Sequence, residues 1–330
     1  MMKNTLIDFL KIYGPSGLEQ DVAAHALSLL EGKFDTMRTD VMGNLILTKK
    51  GQEGGKRILM SAHMDHIGLI VTDIEEEGFL RVTNVGGVSV KNADGRHVVF
   101  QNGTNGICMS QPVKQGEPKM GDLFIDIGVK SKEEALRYVQ LGDVCVYAPD
   151  IFELGEHQVV GPAMDDRSAC AVLAELFLAL DNPRNTVIGV FSTQEEVGIR
   201  GAMTAAYAEN PDIGVGIDVT AWGDTPETKV PCVKLGEGAA VKIMDRSMVA
   251  TPTVRDAMFK AAEIAGVPAQ SEILPFGGTD GAAIQRTRGG VPTGTLSIPC
   301  RYVHSATEVV DLRDLEGAVK LLKAFADLQF

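Results

Sequence analysis

The fold of this chain is decided by residues 166–220, where stretches with helical spacing alternate with short aliphatic runs. They read DRSACAVLAELFLAL (166–180), TVIGVFST (186–193), GAMTAAYAEN (201–210) and VGIDVT (215–220). The apolar residues of the first and third stretches recur every three or four positions, as on a buried helix face. The other two are short runs typical of strands that are covered on both faces. This alternation predicts an α/β fold with a mostly parallel sheet.

The same alternation extends to both sides of this stretch. Toward the C-terminus, a helix, a strand and a final helix are predicted at 253–266, 293–299 and 312–328. Toward the N-terminus, a helix that begins near Ser16 precedes strands in NLILTKK and RILMSAHMD, which end at residues 50 and 65. The predicted sheet therefore includes residues from both ends of the chain.

Residues 68–157 differ from the rest of the chain because helical spacing nearly disappears there. Short strands such as GLIVTDI, FLRVTNV and VCVYAPD are separated by Gly, Asn and Asp turns, with one short helix among them. We therefore predict an α/β domain formed by residues 1–67 and 158–330. An all-β, barrel-like domain formed by residues 68–157 is inserted into it.

The composition excludes several classes of function. The 330 residues carry 31 Lys and Arg against 44 Asp and Glu, a net charge of −13, and the cations are scattered along the chain. Binding to nucleic acid or to an anionic membrane surface requires clustered cations, so neither partner is expected. No stretch approaches the ~18 consecutive apolar residues of a membrane span.

The cysteines indicate a reducing compartment. There are five, they are far apart, and none belongs to a CxxC pair, so neither a disulfide framework nor a thiolate zinc site is expected. The first residues contain no unbroken apolar segment of the kind that directs export. We therefore expect a cytoplasmic protein with reduced thiols.

Acids and histidines cluster where the predicted strands end, which is where open α/β sheets place their sites. Five segments are involved, and they contain His63 with Asp65, Asp165 with Asp166, Glu195 with Glu196, Asp218, and His304. Imidazole and carboxylate groups together bind Zn²⁺ or Co²⁺ well, and one carboxylate can bridge two ions. The sequence therefore predicts a divalent-metal site.

Adjacent residues in these segments suggest a division of roles. Of Glu195 and Glu196, one could bind a metal while the other takes a proton from water. His63 and Asp65 lie on the same face of a strand, so that Asp65 could accept the second imidazole N–H. His66 points to the opposite face, which argues against its being a further ligand.

Each segment also has a simpler interpretation. An acid pair at a helix start often only caps the helix, and a pair such as Glu195 and Glu196 often lies on a solvated loop. Asp166 and Arg167 are predicted to form a charge pair behind the site. The loop 277–280 could line the substrate site or could only cap a helix through Thr279 or Asp280.

The motifs in their order resemble those of the tetrahedral (TET) aminopeptidases, dinuclear metallopeptidases also catalogued as glutamyl aminopeptidases or endoglucanases. The resemblance is carried by SAHMDHIG (61–68), AMDDRSACAVL (163–173), FSTQEEVGIRGA (191–202), GIDVT (216–220), PFGGTDGAAIQ (275–285) and IPCRYVHSATE (298–308). It covers nearly the whole chain. His66 departs from the family, which often has Glu at that position.

The resemblance implies a role for each site residue. His63 and Asp218 would hold one metal ion, Glu196 and His304 the other, and Asp165 would bridge the two. Glu195 would be the general base, and Asp65 would orient His63. The implied fold is a phosphorylase/hydrolase-like catalytic domain whose β insert mediates dimerisation.

The resemblance also implies an activity, the removal of N-terminal residues from short peptides, and an assembly of dimers into a tetrahedral dodecamer. It implies two divalent ions per subunit, Zn²⁺ or Co²⁺. Alternatives are a related amidohydrolase such as a deacetylase or dipeptidase, a glycoside hydrolase, and a non-catalytic metal-stabilised assembly protein. The few aromatic residues, 5% of the chain, argue against sugar binding. The preferred N-terminal residue and the physiological metal stay open.

Overall fold

The computed structural model describes residues 1–226, 228 and 232–330. Within these ranges the chain forms one large sheet and one closed barrel. The strands are β1 (Thr36–Thr39), β2 (Leu45–Lys49), β3 (Arg57–His63), β4 (Gly68–Ile74), β5 (Leu80–Val85), β6 (Arg96–Phe100), β7 (Asn105–Ser110), β8 (Leu123–Asp126), β9 (Val144–Tyr147), β10 (Phe152–Leu154), β11 (Gln158–Gly161), β12 (Thr186–Ser192), β13 (Ile213–Thr220), β14 (Ala239–Met244), β15 (Ala269–Ile273), β16 (Thr293–Arg301) and β17 (Glu308–Asp311).

The large sheet has eleven strands, nine of them in the order β1-β2-β12-β3-β13-β16-β17-β11-β10, with β14 and β15 joined through β16. Its centre is parallel, because β12, β3, β13 and β16 pair in the same direction. Antiparallel strands extend both edges. The predicted α/β class with a parallel sheet is confirmed, and parallel pairing is concentrated in the central strands.

Most of the helices cover the two faces of this sheet, and two short ones, at 90–93 and 132–135, pack on the core of the barrel. The helices are α1 (Met2–Leu10), α2 (Gln20–Leu29), α3 (Val90–Ala93), α4 (Lys132–Ala135), α5 (Met164–Ala179), α6 (Arg200–Glu209), α7 (Pro252–Ala265), α8 (Asp280–Gln285) and α9 (Leu312–Ala326). Met60 of β3 packs in one core with α1, α5 and α9, while Leu59 packs in another with α6 and α8. Successive strand residues point to opposite faces, so these cores lie on the two sides of the sheet.

Both faces of the central strands are buried, which explains their sequences. All eight residues of β13 are buried, as are the last six of β3. Aliphatic runs without polar alternation are the pattern that such covered strands require. None of the helices in the described ranges is long and apolar enough to cross a membrane.

The inserted β domain is a closed barrel of six antiparallel strands in the order β4-β5-β8-β7-β6-β9. It has its own core, which includes Leu80, Cys108 and Ile125. The predicted all-β insert is therefore confirmed as a separate barrel. The barrel strands lie between residues 68 and 147, and β10 already pairs with β11 of the large sheet. The domain limits at 67 and 158 stay a prediction.

Candidate metal centre

The site lies at the carboxyl ends of the central parallel strands. β3 ends at His63, Asp218 lies near the end of β13, and His304 follows β16. Because these strands run in the same direction, their carboxyl ends meet at one edge of the sheet. Glu195 and Glu196 follow β12, and Asp165 lies in the first turn of α5. All five predicted segments come together here.

One set of three residues, which we call the inner group, contains His63, Asp165 and Asp218. One ligand atom of each lies within 4.8 Å of the others. His63 Nε2 is 3.1 Å from Asp165 Oδ1 and 3.9 Å from Asp218 Oδ1. All three residues are buried, and only 2% of the His63 side chain is exposed.

A second set, the outer group, contains Asp165, Glu196 and His304 within the same 4.8 Å limit. His304 Nε2 is 3.2 Å from Asp165 Oδ2 and 3.1 Å from Glu196 Oε1. The two oxygens of Asp165 therefore face two different histidines. The His304 side chain is 33% exposed, so this group lies closer to solvent than the inner group.

The chemistry of these residues fits two divalent cations. Each group combines one imidazole nitrogen with two carboxylates, a ligand set suited to Zn²⁺ or Co²⁺. Burial raises the pKa of Asp218 and also that of Glu196, because charged carboxylates lose hydration there. Bound cations would offset this cost by pairing with the charged carboxylates.

The pKa values of the two histidines also show that the surrounding carboxylates favour positive charge at this site. Burial by itself would lower the pKa of His304, but contacts with Asp165 and Glu196 outweigh this effect and raise it to about 12. For His63, too, contacts with Asp165 and Asp65 outweigh burial, so its pKa is raised well above the usual value. In the absence of a cation, the surrounding carboxylates therefore favour the protonated form of both imidazoles.

Asp65 is fully buried and holds the backbone of Glu195 and Glu196. The carboxylates that line the cavity there, which we call the acidic cluster, are those of Asp165, Glu195, Glu196 and Asp218. The Asp65 carboxylate accepts hydrogen bonds from the backbone N–H groups of Glu195, at 2.9 Å, and Glu196, at 3.2 Å. It also accepts one from Ser16 Oγ at 2.6 Å. His63 Nδ1 lies 2.9 Å from the Asp65 carbonyl oxygen and 3.5 Å from its carboxylate. The carbonyl is thus the nearer partner of the ring.

Glu195 lines the cavity beside both groups. Burial raises its pKa well above the usual value, and the neighbouring carboxylates of Asp218 and Asp280 raise it further, while His63 opposes the shift. A carboxylate with a raised pKa can accept and return a proton near neutral pH. Glu195 belongs to neither ligand group, in contrast to its neighbour Glu196.

Glu308 is a site residue to which sequence reasoning gave no role. Its carboxylate accepts hydrogen bonds from the backbone N–H of Asp165, at 3.1 Å, and of His304, at 2.6 Å. Burial raises its pKa to about 8. It holds the backbones of Asp165 and His304, and its position four residues after His304 was the available signal.

The expected pair of Asp166 and Arg167 does not form a hydrogen-bonded contact. Arg167 donates instead to the carbonyl oxygens of Phe9, at 3.1 Å, and Gly14, at 3.2 Å, so it anchors the N-terminal segment. Asp166 Oδ2 accepts from the backbone N–H of His63 at 3.2 Å. A buried guanidinium needs several acceptors, and carbonyls in the last turn of α1 and just after the helix supply them.

His66 and the nearby cysteines lie outside both ligand groups. The His66 ring nitrogen Nδ1 lies 2.9 Å from the carbonyl oxygen of Ile67, and burial lowers its pKa to about 3. Cys170 Sγ donates to the His63 carbonyl at 3.1 Å, and Cys300 is buried. These residues pack around the site, as expected for a ligand set without thiolates.

The loop at 277–280 caps a helix and also lines the cavity, so the helix-capping interpretation is confirmed and its contact with substrate stays a prediction. Thr279 caps α8, and its hydroxyl accepts from the backbone N–H of Gly281 at 3.3 Å. Gly277, Gly278 and Thr279 also line the cavity. The buried Asp280 Oδ2 accepts from Ser61 Oγ, at 2.6 Å, and Ser192 Oγ, at 2.5 Å, and so ties β3 to β12 just below their ends.

The barrel contacts the outer group. A Cβ on Gly87, which follows β5, would lie 2.4 Å from His304 Nδ1, and one on Gly86 would lie 2.9 Å from Glu196 Oε2. Asn92 Nδ2 donates to the His304 carbonyl at 3.1 Å. Only a residue without a side chain leaves room for the imidazole at position 87.

The fold and the two ligand groups define a metallohydrolase of the α/β class. The profile of the M42 glutamyl aminopeptidase family matches residues 43–321. A putative aminopeptidase of Acetivibrio thermocellus is 42% identical over 98% of each chain. An aminopeptidase structure from Desulfurococcus kamchatkensis has a TM-score of 0.95 and 36% identity, over 99% of this chain and 95% of that one.

A further similar structure is the TET1 peptidase of Pyrococcus horikoshii, described as assembling into a tetrahedron or a large octahedral shell. It shares 34% identity over 100% of both chains, with a TM-score of 0.90. The chain described here belongs to the M42 family. It is a metal-dependent aminopeptidase, a hydrolase of peptide bonds.

Proposed function

We propose that this enzyme removes N-terminal residues from short peptides with two divalent cations held by the inner and outer groups. His63 and Asp218 would hold one ion, Glu196 and His304 the other, and Asp165 would bridge them. The observation that carries this proposal is the position of Asp165, whose two oxygens face His63 and His304 at 3.1 and 3.2 Å.

In this mechanism, Glu195 is the general base and Asp65 a positioning residue. When bound, the cations would lower the pKa of a water molecule and polarise the scissile carbonyl. Glu195 accepts a proton from the attacking water and passes it to the nitrogen of the departing amine. Asp65 keeps Glu195 in place through the backbone hydrogen bond at 2.9 Å. The acidic cluster also offers counter-charges to the free α-ammonium group of the substrate.

We further propose Zn²⁺ or Co²⁺ as the ions, a homo-oligomer and a cytoplasmic location. The His and carboxylate ligands support the choice of metals. The P. horikoshii relative, described as assembling into a tetrahedron or an octahedral shell, supports a homo-oligomer. We propose that dimers form through the barrel and assemble into a dodecamer. A native mass far above 35.3 kDa is expected by light scattering, and a monomer at micromolar concentration would refute this assembly.

The decisive experiment compares wild type with Glu195→Gln on aminoacyl-p-nitroanilides, with and without added Zn²⁺ or Co²⁺. The variant should lose about 10³-fold in kcat, within the range for a general base, while its metal content stays at the wild-type value. N-acetylated versions of the same substrates test the deacetylase or dipeptidase alternative. Cleavage of blocked substrates alone would support that alternative, and no activity after metal loading would support a non-catalytic assembly protein.

A further inference from the structure

We propose that the enzyme prefers an N-terminal residue with a large, uncharged, apolar side chain such as Leu, Met or Phe. This inference rests on the proposed function and adds the substrate class. The α-ammonium group of the substrate would lie at the acidic cluster. The side chain of the first residue would then lie in the adjoining cavity.

That cavity has a volume of about 670 Å³ and adjoins both ligand groups. Ligand pockets commonly have volumes of about 300–1,000 Å³ with mostly apolar walls and a few polar groups. The wall here is formed by Ile199, Val219, Trp222, Leu274, Phe276 and Val303. Several of these residues follow the strands that carry the metal-site residues, so the apolar wall begins directly beside the acidic cluster.

The aromatic residues of this wall, Trp222 and Phe276, offer apolar ring surface to a substrate side chain. The indole N–H of Trp222 donates to Thr225 Oγ1 at 2.6 Å, so its polar group is already satisfied within the protein. Phe276 is 50% exposed, and Leu274, two residues earlier, is only 7% exposed. A large apolar side chain that covers Phe276 would remove this exposed ring from water, which favours binding.

Lys242 is a charged residue of the cavity lining, and its charge is neutralised within the protein. Within the described ranges 1–226, 228 and 232–330, it is the charged lining residue outside the metal site, and its side chain is fully buried. Its ammonium group pairs with Glu272, and Asp245 lies 3.9 Å away. Glu272 also accepts from Thr220 Oγ1 at 2.7 Å.

The Lys242 network therefore offers no reachable partner to a charged substrate side chain. A carboxylate or ammonium group that entered the cavity would lose hydration against Leu274, Phe276 and Trp222. Among the described lining residues outside the metal site, none would offer it an ion pair in return. An apolar side chain has no such cost. Selectivity against charged N-terminal side chains thus follows from two effects. They lose hydration without gaining an ion pair, and apolar side chains gain favourable contacts with the wall.

The test measures kcat/KM of the metal-loaded enzyme on the p-nitroanilides of Leu, Met, Phe, Ala, Glu and Lys. Leu should exceed Ala by about 50-fold, because each of its three additional carbons contributes roughly fourfold when buried. Glu and Lys should fall about 100-fold below Leu. A preference for Glu or Lys would overturn the inference, whereas cleavage of none of the six would instead refute the proposed function.

Variants of Phe276 separate a specificity role from a structural one. Phe276→Ala should lower kcat/KM for Leu by about fivefold, mainly through KM, and leave Ala within twofold. Phe276→Lys should raise the ratio of Glu to Leu cleavage by about tenfold, because it places a cation on the cavity wall. The matched control is Phe152→Ala, at a phenylalanine that is 44% exposed on β10, and it should change neither ratio. Equal losses on all substrates in both Phe276 variants would refute the specificity role.

Discussion

The inner and outer groups share Asp165 but differ in what holds them. The inner group comes entirely from the large sheet and α5, and its histidine is 2% exposed. The outer group includes His304, which is 33% exposed and is contacted by the barrel through Gly87 and Asn92. The inner group is therefore fixed by one sheet, whereas the outer group depends on how two domains pack.

Backbone conformation shows the same difference. His304 has a φ of 62°, a left-handed conformation that costs a residue with a side chain about 1–3 kcal/mol. Glu308, which accepts the His304 N–H, and Asn92, which donates to its carbonyl, hold it there. His63 is instead the last residue of a regular strand. The outer group thus needs contacts that the inner group does not.

The largest effect is expected from a change in the shared residue. Asp165→Asn should remove the bridge between the groups and lower kcat by about 10³-fold or more, because both cation sites lose a charged ligand. Metal analysis should show fewer than two ions per chain. Asp8→Asn, on the surface of α1, is the control. Two tightly bound ions in Asp165→Asn would show that the residue does not bridge.

Gly87→Ala should affect the outer group alone. The new methyl group would displace the His304 ring, so affinity for the outer ion should fall by about 10- to 100-fold, as when a residue that supports a ligand is lost. Excess metal should restore activity. The matched control is Gly121→Ala, also in the inserted segment, where a Cβ meets nothing within 4 Å. Equal metal titrations for both variants would show that the barrel does not support this ligand.

Asp280→Ala should weaken the link between β3 and β12, the contact that Asp280 makes through Ser61 and Ser192 near the inner group. It leaves the buried hydroxyls of Ser61 and Ser192 without their acceptor, at a cost of about 2–4 kcal/mol in unfolding free energy. Chemical denaturation measures this loss. Asp280→Asn keeps an acceptor oxygen and should be less destabilised. If the two variants are equally stable, the hydroxyl contacts do not hold the strands.

Metal loading should release protons, and this is the smallest of the four effects. The pKa of His304 is raised to about 12 in the metal-free chain and that of His63 is also raised, so each ring is protonated near neutral pH. A cation must displace these protons, so apparent affinity should rise as pH rises. Calorimetry in buffers of different ionisation enthalpy measures the release.

His304→Ala sharpens this measurement because it removes one of the two titrating rings. The variant should release about one proton fewer than wild type when metal is added. His97→Ala, at an exposed histidine of the barrel, is the control and should release the wild-type number. If affinity does not depend on pH, protons do not occupy the ligand positions in the metal-free chain.

Much of the site was predictable because the sequence marks where strands end. His63, Glu195 and Asp218 follow or end aliphatic runs, and the ends of parallel strands meet at one edge whatever the other details of packing. The residues that support them were harder to find. Glu308 and the hydroxyls of Ser61 and Ser192 act through partners far away in the chain. Local spacing shows only the contact of Glu308 with His304, four residues earlier, and none of the distant contacts.

Arg167 shows how sequence proximity can mislead. Its neighbour Asp166 suggested a pair, yet α5 turns the guanidinium toward the carbonyl oxygens of Phe9 and Gly14. Asp65 makes a contact that its sequence neighbours do not show, because its carboxylate accepts from the Glu195 backbone N–H at 2.9 Å while also lying 3.5 Å from His63 Nδ1. Adjacent residues share a position in the chain but not a direction, and packing decides the direction.

The sequence by itself determined the alternation of helices and strands, the β insert and the types of ligand at the strand ends. These features follow from local periodicity and composition. Only the tertiary structure decided that the two oxygens of Asp165 face different histidines, that Gly87 of the barrel packs on His304, and that Lys242 is neutralised beneath the cavity. Such contacts join residues distant in sequence, so they exist only once the sheet and the barrel have packed together.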